Sequence, residues 1–437
     1  MTTQKKLVLF IVMLSYFVTA IDCSIIFTGE VKIAADLALD QTSLSWVQNI
    51  YVLAYGGLML FSGRLGDAYG RKSVLNAALV LFCIGSLLAG AAWSVPLMIG
   101  ARFLQGVGAA LLAPTALALL MDYFDGQERV TAIAWYSSVS GLGMCVGLVL
   151  GGAFADFLSW RYGFFINVPL TLLMLFISCR TLRKGNCAQA RFDIAGTIYS
   201  IVAVFSLVYA INGAQEPLLW LAVAAGGLAA FVRTEKRAPF PMLPLRLFTA
   251  GFRSRAYIAR LLFAGSMMGY YFFVSQYMQE IFRFTPLQVG FAFFPLTLFT
   301  FAGAMLVPRL TLAWGDGKTL FAGFSLLSLG FAIAAFWHAS PSYWSAVAVP
   351  MALLGLGQGL ATSPMTNLGI KNVMLEDAGA ASGMVNVAHQ IGCSIGLSVM
   401  VAYNANVADI ALIYRNSMLI ALLLIAAAFT VTLFKRS

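Results

Sequence analysis

Apolar residues run almost unbroken along this chain in stretches of about 17 to 25, without the alternation of a half-buried strand or the narrow stripe of a surface helix. Fourteen such stretches are predicted as helical spans: 7–29, 44–63, 74–94, 97–121, 130–154, 162–180, 194–212, 216–232, 256–278, 287–308, 318–338, 343–365, 380–402 and 416–434. At about 1.5 Å per residue each crosses about 30 Å of hydrocarbon. Barrel strands are excluded, because they are shorter and alternate. No segment between the spans is long enough for a soluble domain. The pattern predicts an all-α polytopic membrane protein of about fourteen helices.

Composition agrees: 61% of the residues are hydrophobic and 10% charged, against about 25% charged in a soluble domain. The net charge of +10 raises nucleic acid as a partner until it is sorted by loop. Lys32, Arg161, Arg283 and Arg415 fall in one set of loops, and Arg102 and Arg260 fall inside spans. The other bases, among them Arg64, Arg71, Lys72, Arg129, Arg246 and Lys371, lie on the opposite side with the termini. That asymmetry is the positive-inside rule, so both termini are predicted in the cytoplasm and the basicity is topological. Nucleic-acid binding is set aside. Lys5-Lys6, an apolar run and Val18-Thr19-Ala20 could be read as a signal peptide, but the run continues to Phe27, which predicts an uncleaved first helix. Six scattered cysteines and two distant histidines suggest packing, with neither disulfide nor metal.

The chain echoes itself. Leu104-Gln105-Gly106 with Pro114 returns as Gly357-Gln358-Gly359 with Pro364, and Ser140-Gly141 as Ser382-Gly383. The connection holding Leu65 and Gly70 has a worn counterpart from Val307-Pro308-Arg309-Leu310 through Gly315 and Lys318. Echoes in one order and at similar offsets predict two pseudo-repeated six-helix bundles, 1–185 and 251–437, with two inserted helices and their linkers at 186–250. Parallel halves of this kind build transporters with a site near the membrane midplane.

Residues 63–72, GRLGDAYGRK, place three glycines, an acid and three bases between two apolar spans. The glycines suit a tight turn and close helix approach, and the bases suit anionic headgroups. The stretch resembles the G-x-L-a-D-r-x-G-r-k loop of the major facilitator superfamily, matched at Gly63, Leu65, Asp67, Gly70, Arg71 and Lys72, with Ala68 in place of the usual Arg. Further stretches resemble the fourteen-helix drug:proton antiporter branch of that family. They are Asp22-x-Ser24-Ile25-Ile26, Arg102-Phe103-Leu104-Gln105-Gly106, Trp160-Arg161 through Asn167-Val168-Pro169, Thr285 to Gly290, and Ala381 to Asn386. The resemblance implies a conformational latch at Gly63, Asp67, Gly70 and Arg71. It also implies an antiporter-motif-like helix carrying Gly143, Gly147, Gly151 and Gly152, with Leu148 where that motif has proline.

Ionisable residues inside spans are costly and mark candidate function. Asp22 lies about 22 Å along the first span and Arg102 about 8 Å from the opposite edge of the fourth, which puts both in one layer of the membrane. They are the predicted proton-coupling pair, with Asp22 the one acid well within a span. Glu30 and Lys32, two apart, do not face each other. They read either as a solvated outer mouth or as selectors of a polar substrate. Gln105, Tyr271, Gln276, Asn386, His389 and Gln390 complete the candidate substrate cavity, the last three sharing one helix face. No Walker motif, dinucleotide loop, nucleophile elbow or metal cluster is present, so neither an enzyme nor a cofactor is expected. The resemblance implies a monomeric, proton-gradient-driven exporter of small organic molecules in a bacterial inner membrane. The alternative is a substrate-specific siderophore or metabolite carrier, an importer included.

Overall fold

A computed structural model describes residues 2–182, 193–238, 241–337, 342–374 and 377–433. In chain order the helices are α1 (Thr3–Leu37), α2 (Gln41–Tyr69), α3 (Arg71–Gly90), α4 (Val95–Tyr123), α5 (Gly126–Phe157), α6 (Arg161–Phe165), α7 (Asn167–Thr181), α8 (Ile194–Ile211), α9 (Pro217–Arg237), α10 (Gly251–Glu280), α11 (Pro286–Ala292), α12 (Phe294–Phe336), α13 (Val349–Ile370), α14 (Ala378–Tyr403) and α15 (Ile410–Leu433). Among the described residues no strand is present. Among the described residues, twelve stretches are long and apolar enough to cross a membrane. One of them, 286–336, has 51 residues and turns back at Gly315, so it supplies two of the predicted spans. With α5, whose apolar part is Gly141–Phe157, every one of the fourteen predicted spans has a helix.

The boundaries differ in an informative way. The apolar pattern ends the second span at 63, whereas α2 stays helical to Tyr69. The connection 63–72 is therefore nearly all helix, and the chain turns on one residue, Gly70, at φ 82°. Its counterpart Gly315 has φ 80° and joins the two arms of α12. Both angles lie in the left-handed region that only glycine enters cheaply. The first span likewise continues past 29, to Leu37. In both cases backbone hydrogen bonding carries the helix beyond its apolar stretch.

Two compact units organise the chain, one of residues 1–197 with 285–290, the other of 198–284 with 291–437. In the first, α1 packs on α5 and α7, α4 on α2 and α3, and α3 on α7. In the second, α10 packs on α14 and α15, α13 on α12, and α12 on α15. The two sets of neighbours match helix for helix. Small residues set the closest approaches, as membrane helices require in the absence of a hydrophobic drive between them. A Cβ at Gly106 would come within 2.5 Å of the Tyr51 carbonyl oxygen, and one at Gly359 would strike the Thr300 carbonyl oxygen in the same way. The inserted α8 and α9 lie against each other, Gly227 facing Ala203 and Tyr209 stacking edge-on to Trp220. Apart from Ala224, Gly227, Phe231 and Glu235, α9 is largely exposed, the surface of a helix facing lipid.

Candidate functional site

The first unit buries a charged cluster at its centre. Arg102 Nη1 on α4 donates to Asp22 Oδ2 on α1 at 2.6 Å. Asp22 Oδ1 accepts from Gln105 Nε2 at 2.9 Å and from Asn167 Nδ2 on α7 at 2.8 Å. Gln105 Nε2 also reaches Ser86 Oγ on α3 at 2.8 Å, while its Oε1 accepts from Arg102 Nη1 at 2.8 Å. Arg102 Nε donates to the Val47 carbonyl at 3.2 Å, and its guanidinium lies 4.2 Å from the Tyr51 ring centre. Asp22, Arg102, Gln105, Asn167 and Ser86 have no exposed surface. Three helices thus meet at this carboxylate, and α2 and α3 hold its partners Arg102 and Gln105. In a dry interior such a pair is near break-even while intact, but about 3–5 kcal/mol is lost if one partner leaves. An arrangement with that asymmetry is suited to switching.

Three glycines of α5, one turn apart, aim the site. Cβ atoms at Gly143, Gly147 and Gly151 would strike Ala20, Ser24 and Ile21, and Ile25 and Thr28 respectively, so this strip presses on α1 from the side away from α4. Gly152, one residue round the helix, faces the Pro286 and Leu287 backbone within the same unit. Leu148 is buried.

The loop residues do less packing than their spacing suggested. A Cβ at Gly63 would meet nothing within 4 Å, and one at Gly66 only the Arg71 Cγ at 3.5 Å, so close approach is not their role. Gly70 alone makes the turn. Arg71 reaches the end of α4, pairing with Asp122 and donating to the Ala118 carbonyl at 2.7 Å. The Asp67 side chain lies outside the described residues.

Glu30 corrects the reading of a solvated mouth. It has no exposed surface. Because α1 continues to Leu37, neighbouring residues pack beside this part of the helix: a Cβ built at Gly29 would lie 3.6 Å from Trp160 Cβ, and Lys32 Nζ donates to the Ala155 carbonyl at 2.5 Å. Asp36, a turn further, accepts from Trp160 Nε1 at 2.8 Å and Arg161 at 3.0 Å. Asp22 is therefore not the one acid buried along α1; Glu30 is a second, about 12 Å further on.

A family model described as the Major Facilitator Superfamily matches residues 12–397. The chain belongs to that superfamily. It is similar to the cephamycin export protein of Amycolatopsis lactamdurans, 34% identical over 399 residues, 88% of this chain and 82% of that protein. It is also similar to the puromycin resistance protein of Streptomyces alboniger, 32% identical over 405 residues, 90% of this chain and 80% of that protein. In fold it resembles a bacterial homologue of the human lysosomal transporter Spinster, with a TM-score of 0.72 over 99% of this chain and 97% of that one at 17% identity. This member of the superfamily is a multi-pass membrane transporter and not an enzyme.

The second unit of this transporter holds the remaining candidates. Tyr271 and Gln276 of α10 are buried, as are Tyr270 and Tyr277, so these aromatics sit in the core and are not interfacial anchors. Tyr271 Oη donates to Gln358 Oε1 at 3.4 Å. Gln358 repeats Gln105, but Gly355 stands where the repeat would place Arg102, and a Cβ there would strike Leu296. The Asp22–Arg102 arrangement therefore has no copy at the repeated positions of α13. On α14 Asn386 is exposed and donates to the Ser382 carbonyl at 3.1 Å, and His389 and Gln390 are half-buried. Asn167, Ser86 and Asp122 were missed as site residues by sequence reasoning. Asn167 lies in a recognised stretch and could have been found there; no sequence signal ties Asp122 to Arg71.

Proposed function

We propose that this transporter exports small organic molecules by alternating access in exchange for protons, with Asp22 as the group that takes and releases the proton. The observation that supports this reading is the cluster on Asp22, where a wholly buried carboxylate accepts from Arg102, Gln105 and Asn167 on helices that are separate in sequence. Relative movement of α1 and α4 would separate the carboxylate from its cation. A buried carboxylate without a cation favours its protonated form, so the same movement binds a proton. The relatives' cephamycin export and puromycin resistance point to antibiotic-sized substrates. The charge asymmetry and the bacterial relatives support a bacterial inner membrane with both termini in the cytoplasm.

A second reading, a carrier selective for one siderophore or metabolite, draws on Leu148 in place of the motif proline and on the buried Glu30. Vesicles of known sidedness loaded with an imposed pH gradient separate the two. Export predicts accumulation of puromycin in inverted vesicles with an acid lumen, and proton release when puromycin is added to the purified protein. Uptake into right-side-out vesicles favours the carrier, and puromycin movement without protons overturns the coupling.

A further inference from the structure

We infer that α1 and α5 travel as one rigid pair, and that the movement separating Asp22 from Arg102 takes place between this pair and the group α2, α3 and α4. The inference rests on the transport reading above and names its moving parts. The contacts of α1 with α5 keep a single register. Lys5 Nζ pairs with Glu128 Oε2 at 2.5 Å, and Lys32 Nζ donates to the Ala155 carbonyl at 2.5 Å; in both cases the partners are 123 positions apart. Between these ends, Cβ atoms at Gly143, Gly147 and Gly151 would strike Ala20, Ser24 and Thr28, which keep the same offset. Tyr16 stacks on Tyr136 along this seam, with ring centres 4.6 Å apart. Because the partners' numbers rise together, the two helices run parallel. From Lys5 to Lys32 they stay joined over about 40 Å at about 1.5 Å per residue.

A seam of this kind does not slide. Each glycine brings one backbone against its neighbour, so a shift along the axis drives the next side chain into that space. Glycines tie α4 to other helices by the same means. A Cβ at Gly106 would strike the Tyr51 carbonyl and Ala54 on α2, one at Gly108 would strike Phe82 on α3, and one at Gly85 on α3 would strike Gln105. Between α1 and α4 the contact is of another sort: Asp22 meets Arg102 and Gln105 through the ends of their side chains. Such groups part by rotating about single bonds between staggered positions. The charged cluster therefore spans the seam that can open. The second unit carries a matching ladder. Arg246 and Asp377, which precede α10 and α14, pair across 131 positions. Leu261 with Gly392, Gly265 with Gly396 and Gly269 with Met400 keep that offset.

Double electron–electron resonance on the full-length protein in nanodiscs tests the inference, with the native cysteines replaced by alanine. Spin labels go on Ala35→Cys paired with Phe157→Cys, or on Ala35→Cys paired with Trp93→Cys, at positions that are all exposed. The first pair reads α1 against α5, the second α1 against the turn between α3 and α4. Asp22→Asn removes the charge that holds Arg102. It should change the Ala35–Trp93 distance by about 3–5 Å, enough to carry the cation beyond the range of about 4–6 Å in which it keeps a carboxylate charged. The Ala35–Phe157 distance should stay constant. As a second measurement, Gly29→Cys with Ala155→Cys places Cβ atoms 4.0 Å apart. That lies within the range of about 3.5–4.5 Å for a disulfide, and its oxidation should leave the transport rate unchanged. An unchanged Ala35–Trp93 distance, equal changes in both distances, or loss of transport on oxidation overturns the inference. Puromycin moving without protons while the two distances still behave as expected sinks the transport reading alone.

Discussion

Asn167 Nδ2 donates to Asp22 Oδ1 over 2.8 Å, joining residues 145 positions apart in the first unit. With Arg102 on Oδ2 it leaves neither oxygen of the carboxylate without a donor. Asp22→Asn keeps the size and removes the titration, so gradient-driven transport should fall to background while substrate exchange persists. Asn167→Ala leaves Asp22 Oδ1 with Gln105 as its remaining side-chain donor, a loss of one hydrogen bond to a charged group, about 1.5–3 kcal/mol. It should lower the melting temperature and slow coupled transport without stopping it. Comparing counterflow with pH-driven flux in proteoliposomes checks both. Wild-type proton stoichiometry in Asp22→Asn would shift the role to another group, His389 next in line.

A Cβ added at Gly106 would come within 2.5 Å of the Tyr51 carbonyl oxygen and 2.8 Å of Ala54 Cβ, so Gly106→Ala forces α2 and α4 apart. Overpacking of this kind costs about 1–3 kcal/mol. Gly359→Ala should cost a similar amount for the same reason in the second unit. Gly100→Ala, at a position with nothing within 4 Å, should leave the melting curve of the detergent-solubilised protein unchanged.

Arg71 ties the turn at Gly70 to the end of α4 through Asp122 and the Ala118 carbonyl. Arg71→Ala should slow the turnover of bound substrate severalfold and leave its dissociation constant near wild type, because the contact lies far from the Asp22 cluster. Asp67→Asn is expected to behave alike. Parallel measurements of transport rate and equilibrium binding decide the matter. A matching loss in both would place the loop in the binding site.

Asp40 caps α2, accepting from the Ser43 backbone N–H at 2.8 Å. The Ser43 hydroxyl and then that backbone N–H hold its carboxyl below the ordinary carboxylate range. Since the folded value is the lower one, the stabilisation is full above about pH 4 and is lost as the pH falls through the depressed value. Asp40→Ala should cost about 1 kcal/mol at neutral pH and less at pH 2.5. Asp40→Asn should keep the cap without the pH dependence. Hydrogen exchange in the first turn of α2 reads this directly.

The sequence alone determined the spans, their number, the internal repeat and the family, because all of these answer to local conditions. An apolar run must match the hydrocarbon thickness, a charge must avoid it, and a turn between packed helices needs the left-handed conformation at Gly70 and again at Gly315. The meeting of Asp22 with Arg102 was also accessible, since depth along two helices is fixed by rise per residue. Tertiary structure decided the rest. Whether an acid just past an apolar run is wetted or buried depends on what covers it, and Glu30 has no exposed surface. Helix rotation, invisible in a stretch that is apolar all round, decided that Asn167 turns toward Asp22 and that Gly143, Gly147 and Gly151 press on α1 while Gly63 presses on nothing. Depth is a one-dimensional property of the chain; facing is set only by neighbouring helices.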